Sequence, residues 1–228
     1  DTVFNNELTE ADYRFAFDAV APQPAVELPI GSQVDTAFAA DGTLRYSVSV
    51  TKSGLFWLDV LTNISADWTV ADSQGQLVAS GSIDGENGRL LSLAEPGNYT
   101  LTLSAGDIPL AANAVSLKLT DLSVSATPIS AETRIEDMLD PGATTRIYRF
   151  NAVASDSFQF ISGGVTGEIN WRLYTRNGSL VSQGDASYNG GKISLSAYGG
   201  GQYYLVIDGA ASNGAPVDYA FTVSSGRL

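Results

Sequence analysis

The feature that most constrains this chain is that it repeats itself. LRYSVSV at 44–50 answers to RIYRFNA at 146–152, and DWTV at 67–70 to NWRL at 170–173. GQLVASG at 75–81 answers to GSLVSQG at 178–184, and LSLAEPGNYTLTL at 91–103 to ISLSAYGGGQYYLVI at 193–207. The offset stays near roughly 103 residues, which pairs Tyr46 with Tyr148, Trp68 with Trp171 and Tyr99 with Tyr203. A unit of that size can bury a core of its own. The chain therefore divides into a first module over 21–122 and a second over 123–228. DYRFAFDA at 12–19 resembles DYAFTVSS at 218–225, which is set against SLKLTDLS at 116–123, so residues 1–20 read as the last strand of a preceding copy. APQPAVELP at 21–29 and SATPISAET at 125–133 read as short extended linkers, which favours a semi-rigid rod.

Within each copy the apolar residues alternate with period two, the signature of strands with one buried face. Leu44, Tyr46, Val48 and Val50 share a face; so do Phe56, Leu58 and Val60; so do Tyr203, Leu205 and Ile207. Turn dipeptides such as Asp41-Gly42, Gln74-Gly75, Pro96-Gly97 and Asn177-Gly178 interrupt this alternation about every 10 residues, the rhythm of an antiparallel sandwich. The fold class expected is all-β: two tandem antiparallel sandwiches, jelly-roll-like, with almost no helix. Even AETRIEDML at 131–139, which has some helical character, is read as a strand because its counterpart SQVDTAF is strand-like.

The order of these signals resembles the bacterial pre-peptidase C-terminal domain. The matching segments are a G-x-x-V-x-x-x-F start, WRLYTRNGSLV at 171–181, GGQYYLVIDG at 200–209 and a closing DYAFTV at 218–223. The resemblance spans 28–122 and 130–225, and copy one departs from it with Leu117 and Leu119 where Tyr and Phe are usual. It implies a β-sandwich that accompanies secreted proteases and long surface proteins without itself being catalytic, and hence an extracellular or cell-surface setting in a bacterium. Fold alone does not fix function.

Composition narrows the chemistry. With no Cys and no His, disulfides, thiol nucleophiles, His-dependent triads and His-ligated metals are excluded. The formal net charge of −13 repels phosphate backbones and anionic lipid heads, so nucleic acid is not an expected partner. No apolar run reaches the roughly 18 residues of a membrane span, so membrane insertion is not expected either. No acidic pair recurs in a context that suggests carboxylate catalysis. The expectation is a protein that is not an enzyme.

Candidate sites follow from the pattern. Trp68 and Trp171, with Tyr46, Tyr148, Tyr99 and Tyr203, occupy repeated inward positions and are expected in the cores. Trp57 lies between two inward residues and should face outward; its counterpart is Gln159. Tyr174 and Tyr204 also fall on an outer face, and with Tyr188 and Tyr198 they extend the aromatic surface. An exposed aromatic platform suits a glycan or protein ligand, although a Trp at such a position can equally pack under a neighbouring loop or linker. The acidic loop around Asp84 and Glu86 is a candidate Ca²⁺ site, although it lacks the full loop pattern and reads more simply as a hairpin turn. Asp35, Asp137 and Asp140 near the module starts are a weaker candidate. Two roles result: a spacer in a large secreted or surface protein of adhesin type, whose partners are neighbouring modules of the same chain, or a carbohydrate-binding accessory module attached to a secreted enzyme such as a protease.

Overall fold

A computed structural model describes residues 24–39, 41–84, 88–105, 114–224 and 226. The expected N-terminal strand over 12–19 lies outside the described residues. Each copy forms two sheets, antiparallel except for a short parallel edge strand on the five-stranded one. In the first, Val26–Glu27 (β1), Thr43–Val50 (β3), Gly97–Ala105 (β8), Ser65–Ala71 (β5) and Leu77–Asp84 (β6) make one sheet in that spatial order. Gln33–Ala37 (β2), Ala114–Asp121 (β9), Gly54–Val60 (β4) and Gly88–Leu93 (β7) make the other. The second copy repeats this order. Thr127–Pro128 (β10), Thr145–Ala152 (β12), Gly201–Gly209 (β17), Ile169–Thr175 (β14) and Leu180–Asp185 (β15) form its five-stranded sheet. Arg134–Leu139 (β11), Val217–Ser224 (β18), Ser157–Val165 (β13) and Ile193–Ser194 (β16) form its four-stranded sheet.

The period-two pattern becomes burial. Along β3 the burial alternates as Leu44, Tyr46, Val48 and Val50 turn inward. Trp68 and Trp171 lie in the two separate cores, as do Tyr46, Tyr99, Tyr148 and Tyr203. Each tryptophan sits against a cross-strand glycine: Trp68 pairs with Gly81 and Trp171 with Gly184. A β-carbon at either glycine would stand 3.0 Å from the indole, a tight contact that the ring could relieve only by shifting. This accounts for the glycine that ends GQLVASG and GSLVSQG. The glycines that open those segments, Gly75 and Gly178, turn the hairpins with φ of 78° and 86°, a region that favours glycine. In the second core Phe160 stacks on Trp171 at 5.0 Å and on Phe221 at 5.4 Å.

The strand registers adjust the repeat at its end. Phe56 faces Leu91 and Phe158 faces Ile193; along the same two strands Leu58 opposes Leu119 and Phe160 opposes Val223. Leu119 therefore corresponds to Val223 and Leu117 to Phe221, two residues away from the sequence alignment of 116–123 with 218–225. A shift of two keeps every side chain on its face, which is why apolar alternation did not reveal it.

The linkers are more structured than extended connectors. After β9 the chain makes one helical turn, Leu122–Ser125 (α1), whose N-cap Asp121 accepts from the Ser123 backbone N–H at 2.8 Å and its hydroxyl at 2.7 Å. β10 then pairs in parallel with β12, and β1 with β3, so both linker segments are partly absorbed into the module that follows. No helix among the described residues is long and apolar enough to cross a membrane.

Candidate functional site

The outward residues of β4 are Leu55, Trp57 and Asp59, and they do not meet solvent. Trp57 is 0% exposed. The surface that buries it is the outer face of the five-stranded sheet of the second module. A third apolar cluster, distinct from both cores, joins Leu55 and Trp57 to Leu122 and Ala126 of the connecting turn and to Ile147, Tyr174, Tyr204 and Val206. Leu90 packs against it. Of the aromatic residues singled out as an exposed platform, Trp57, Tyr174 and Tyr204 are thus brought together, but as the two sides of a closed joint between the modules. The expectation that they are accessible is corrected: strands β4, β14 and β17 carry apolar residues on both faces because both faces are covered.

Polar groups fix how the faces meet. Trp57 Nε1 donates to Asp59 Oδ1 and to Thr145 Oγ1 of the second module, both at 3.2 Å. The Thr145 hydroxyl in turn donates to Asp59 Oδ1 at 2.6 Å. Arg172, 5.8 Å from the Trp57 ring centroid, caps the indole face with its guanidinium. Arg172 is held there by Asp208, whose two carboxylate oxygens each accept at 2.7 Å. Tyr174 approaches the indole at 6.2 Å with its ring tilted by 60°. Across the sheet from Asp59 lies Gly88, where a β-carbon would stand 2.2 Å from the Trp57 ring and clash with it. Glycine at this position allows the indole to lie flat on its own sheet.

The electrostatics follow from burial. Asp59 and Asp208 are each 2% exposed. Desolvation is the main cause that pushes the Asp59 carboxyl up to about 7, and the nearby Asp208 carboxylate adds to it. The hydrogen bonds from Thr145 and Trp57 and the charge of Lys118 oppose the rise. Burial likewise pushes the Tyr174 phenol up to about 12 and raises that of Tyr204.

Of the other candidates, Glu86 lies outside the described residues, as does the side chain of Asp84. Asp137 accepts from the Tyr148 hydroxyl at 2.8 Å and lies 3.6 Å from Arg146. Among the described residues no three carboxylates converge as a cation site requires. Tyr188 and Tyr198 are exposed. An open groove of about 690 Å³ lies on the second module between Glu136, Met138, Gly164 and Asp218; of the candidate site residues Asp137 lines it, whereas Trp57, Tyr174 and Tyr204 do not.

The joint itself is what sequence reasoning missed, although its signal was present. FWL in β4 and YYLVI in β17 are apolar at both parities, whereas the counterpart of the latter, YTLTL, is apolar at one. No family model matches the chain, and no curated protein sequence matches it. Among solved structures the chain is similar to the periplasmic inhibitor of g-type lysozyme PliG from Aeromonas hydrophila, at 16% identity over 45% of this chain and 96% of that one, with a TM-score of 0.39. It is also similar to the secreted serine protease VesC from Vibrio cholerae, at 7% identity over 83% of this chain and 48% of that one, with a TM-score of 0.31. The pre-peptidase C-terminal domain of collagenase from Bacillus anthracis, of the family that the sequence resembles, is similar at 19% identity over 44% of this chain and 99% of that one, with a TM-score of 0.38.

Proposed function

We propose that this chain is a non-catalytic, stiff two-module spacer within a larger extracellular bacterial protein. The observation that carries this reading is the complete burial of Trp57 between the modules. A tandem pair that served only as independent beads would have no reason to place a tryptophan, an Arg172–Asp208 ion pair and the Asp59–Thr145 hydrogen bond on facing surfaces. Inter-domain interfaces are by default loose enough to permit relative motion, and a packed apolar centre with directional polar contacts is what restrains it. The setting rests on tandem repetition, strong acidity and the resemblance to an accessory domain. The carbohydrate-binding alternative loses its main support, because Trp57, Tyr174 and Tyr204 are spent on the joint.

The test is ¹⁵N relaxation of the intact chain. A spacer gives one rotational correlation time for both modules, set by the whole particle. Two separate correlation times, each that of a single sandwich, at every pH would overturn the reading. So would micromolar binding to a glycan array that is lost on Trp57→Ala.

A further inference from the structure

The joint contains a feature that a purely mechanical connection does not need. Asp59 is a carboxylic acid on the outer face of β4, excluded from water, with its hydrogen-bond partner Thr145 on the opposite module. Placing a second buried carboxylate, Asp208, on the facing strand β17 makes the charge state of Asp59 matter to the contact.

We propose that the joint is proton-gated: it stays closed while Asp59 carries a proton, and it loosens when Asp59 ionises opposite Asp208. The inference rests on the spacer reading and adds its regulation. The charged and titratable groups around Asp59 are few. Asp208 and Arg172 face it from the second module, and their charges are tied to each other at 2.7 Å. Tyr174 is neutral there. On its own sheet Lys118 of β9 stands directly across from Asp59, and its influence is the smallest of those acting on the acid. Arg89 of β7 directs its guanidinium to the carbonyl oxygens of Ser82 and Gly88. Among the described residues no cation is placed to hold Asp59 as a closely paired anion, so the acid resolves its burial by keeping a proton.

The direction of the response follows from linkage. Once the modules separate, Asp59 regains water and returns toward the ordinary carboxylate value of 3.8. Between that value and about 7 the closed joint binds a proton that the open one has released. Closure is therefore fully supported below the ordinary carboxylate range, weakens as pH rises through this window and reaches its floor above about 7. The closed-to-open ratio falls on the order of tenfold per pH unit inside the window.

The experiment measures the rotational correlation times of both modules, and the emission maximum of Trp57, in the intact chain from about pH 5 to about pH 9 at fixed ionic strength. Asp59→Asn keeps the shape and both acceptor contacts but cannot ionise; Asp59→Leu serves as the second non-ionising variant, and far-UV circular dichroism verifies that each variant is folded. The expected result is a wild-type chain whose modules gain independent motion, with red-shifted emission, as pH rises, while both variants remain closed throughout. A wild-type joint closed at every pH overturns proton gating and leaves the spacer standing. A pH response that persists in both variants overturns it as well. Modules that move independently at every pH overturn both readings together.

Discussion

Replacing Trp57 by Ala tests whether the joint is a distinct energetic unit. If the modules stayed docked, the substitution would leave a cavity in a site that is 0% exposed; truncating a buried Trp in this way costs about 3–5 kcal/mol. The two sandwiches have separate cores, so a second route is open: they can part. Parting re-exposes Leu55, Leu122, Ile147 and Val206, at up to about 1.5–3 kcal/mol for each fully buried side chain. Against this, parting rehydrates Asp208 and Arg172, and desolvating such groups costs several kcal/mol per ion. The intact joint therefore closes on a modest surplus. Trp57 supplies more of it than any other side chain, because it also gives Asp59 a donor and Arg172 a π face. Without it, parting is the cheaper outcome. Guanidinium unfolding followed by fluorescence is well suited, because the variant retains one tryptophan per module, Trp68 and Trp171. The expected result is two independent transitions and two correlation times, with each core close to its stability in the isolated module. A single transition, unchanged tumbling and a loss below about 1 kcal/mol, as for a surface substitution, would refute the reasoning.

Gly88→Ala should open the joint while leaving the first core intact, since its β-carbon competes with the Trp57 ring; relaxation and the Trp57 emission maximum report it. Arg172→Met leaves Asp208 buried without its cation and should weaken docking by about 3–5 kcal/mol, read as a lower guanidinium midpoint for separation of the modules. Thr145→Val removes the cross-module donor to Asp59 and should cost about 1–3 kcal/mol, an effect that a double-mutant cycle with Asp59→Leu, which removes the acceptor, should shrink. Trp171→Ala should destabilise the second module by about 3–5 kcal/mol, measured by thermal unfolding, and a loss below about 1 kcal/mol would place the indole at the surface.

Much of the fold was legible because it is local. Period-two alternation gives the strands and their inner faces, as at Tyr46, Leu101 and Leu103. Glycine turns give the hairpins, and the repeat gives the equivalence of Trp68 and Trp171. The joint was harder to read for a physical reason. Alternation assigns a side chain to the outer face of its own sheet, and that assignment was right for Trp57, Tyr174 and Tyr204. It cannot say whether another module covers that face. Asp59 carries no signal in the sequence because a carboxylate at an outward position is ordinary. The face of the second module, which brings Thr145 to it from far away in the chain, makes it a buried acid. Apolar residues at both parities of one strand were the available clue.

The registers also determine whether such a joint can repeat. One face comes from the four-stranded sheet of the first module and the other from the five-stranded sheet of the second, a head-to-tail contact that could in principle continue along an array. On the corresponding face of the second module, Gln159 stands in place of Trp57, Ile161 in place of Asp59 and Lys192 in place of Leu90. On the corresponding face of the first module, Thr100, Thr102 and Ser104 stand in place of Tyr204, Val206 and Asp208, and Thr69 and Ala71 in place of Arg172 and Tyr174. Neither free face carries the aromatic wedge or the ion pair that receives it. These two modules therefore cannot be stacked on further copies of themselves through the same contact. Drift between the copies at Trp57 and Gln159, which would be puzzling in a repeated ligand site, is what a contact made once per pair requires. The stiffness argued for belongs to the pair, and a longer protein built from such pairs would bend between them.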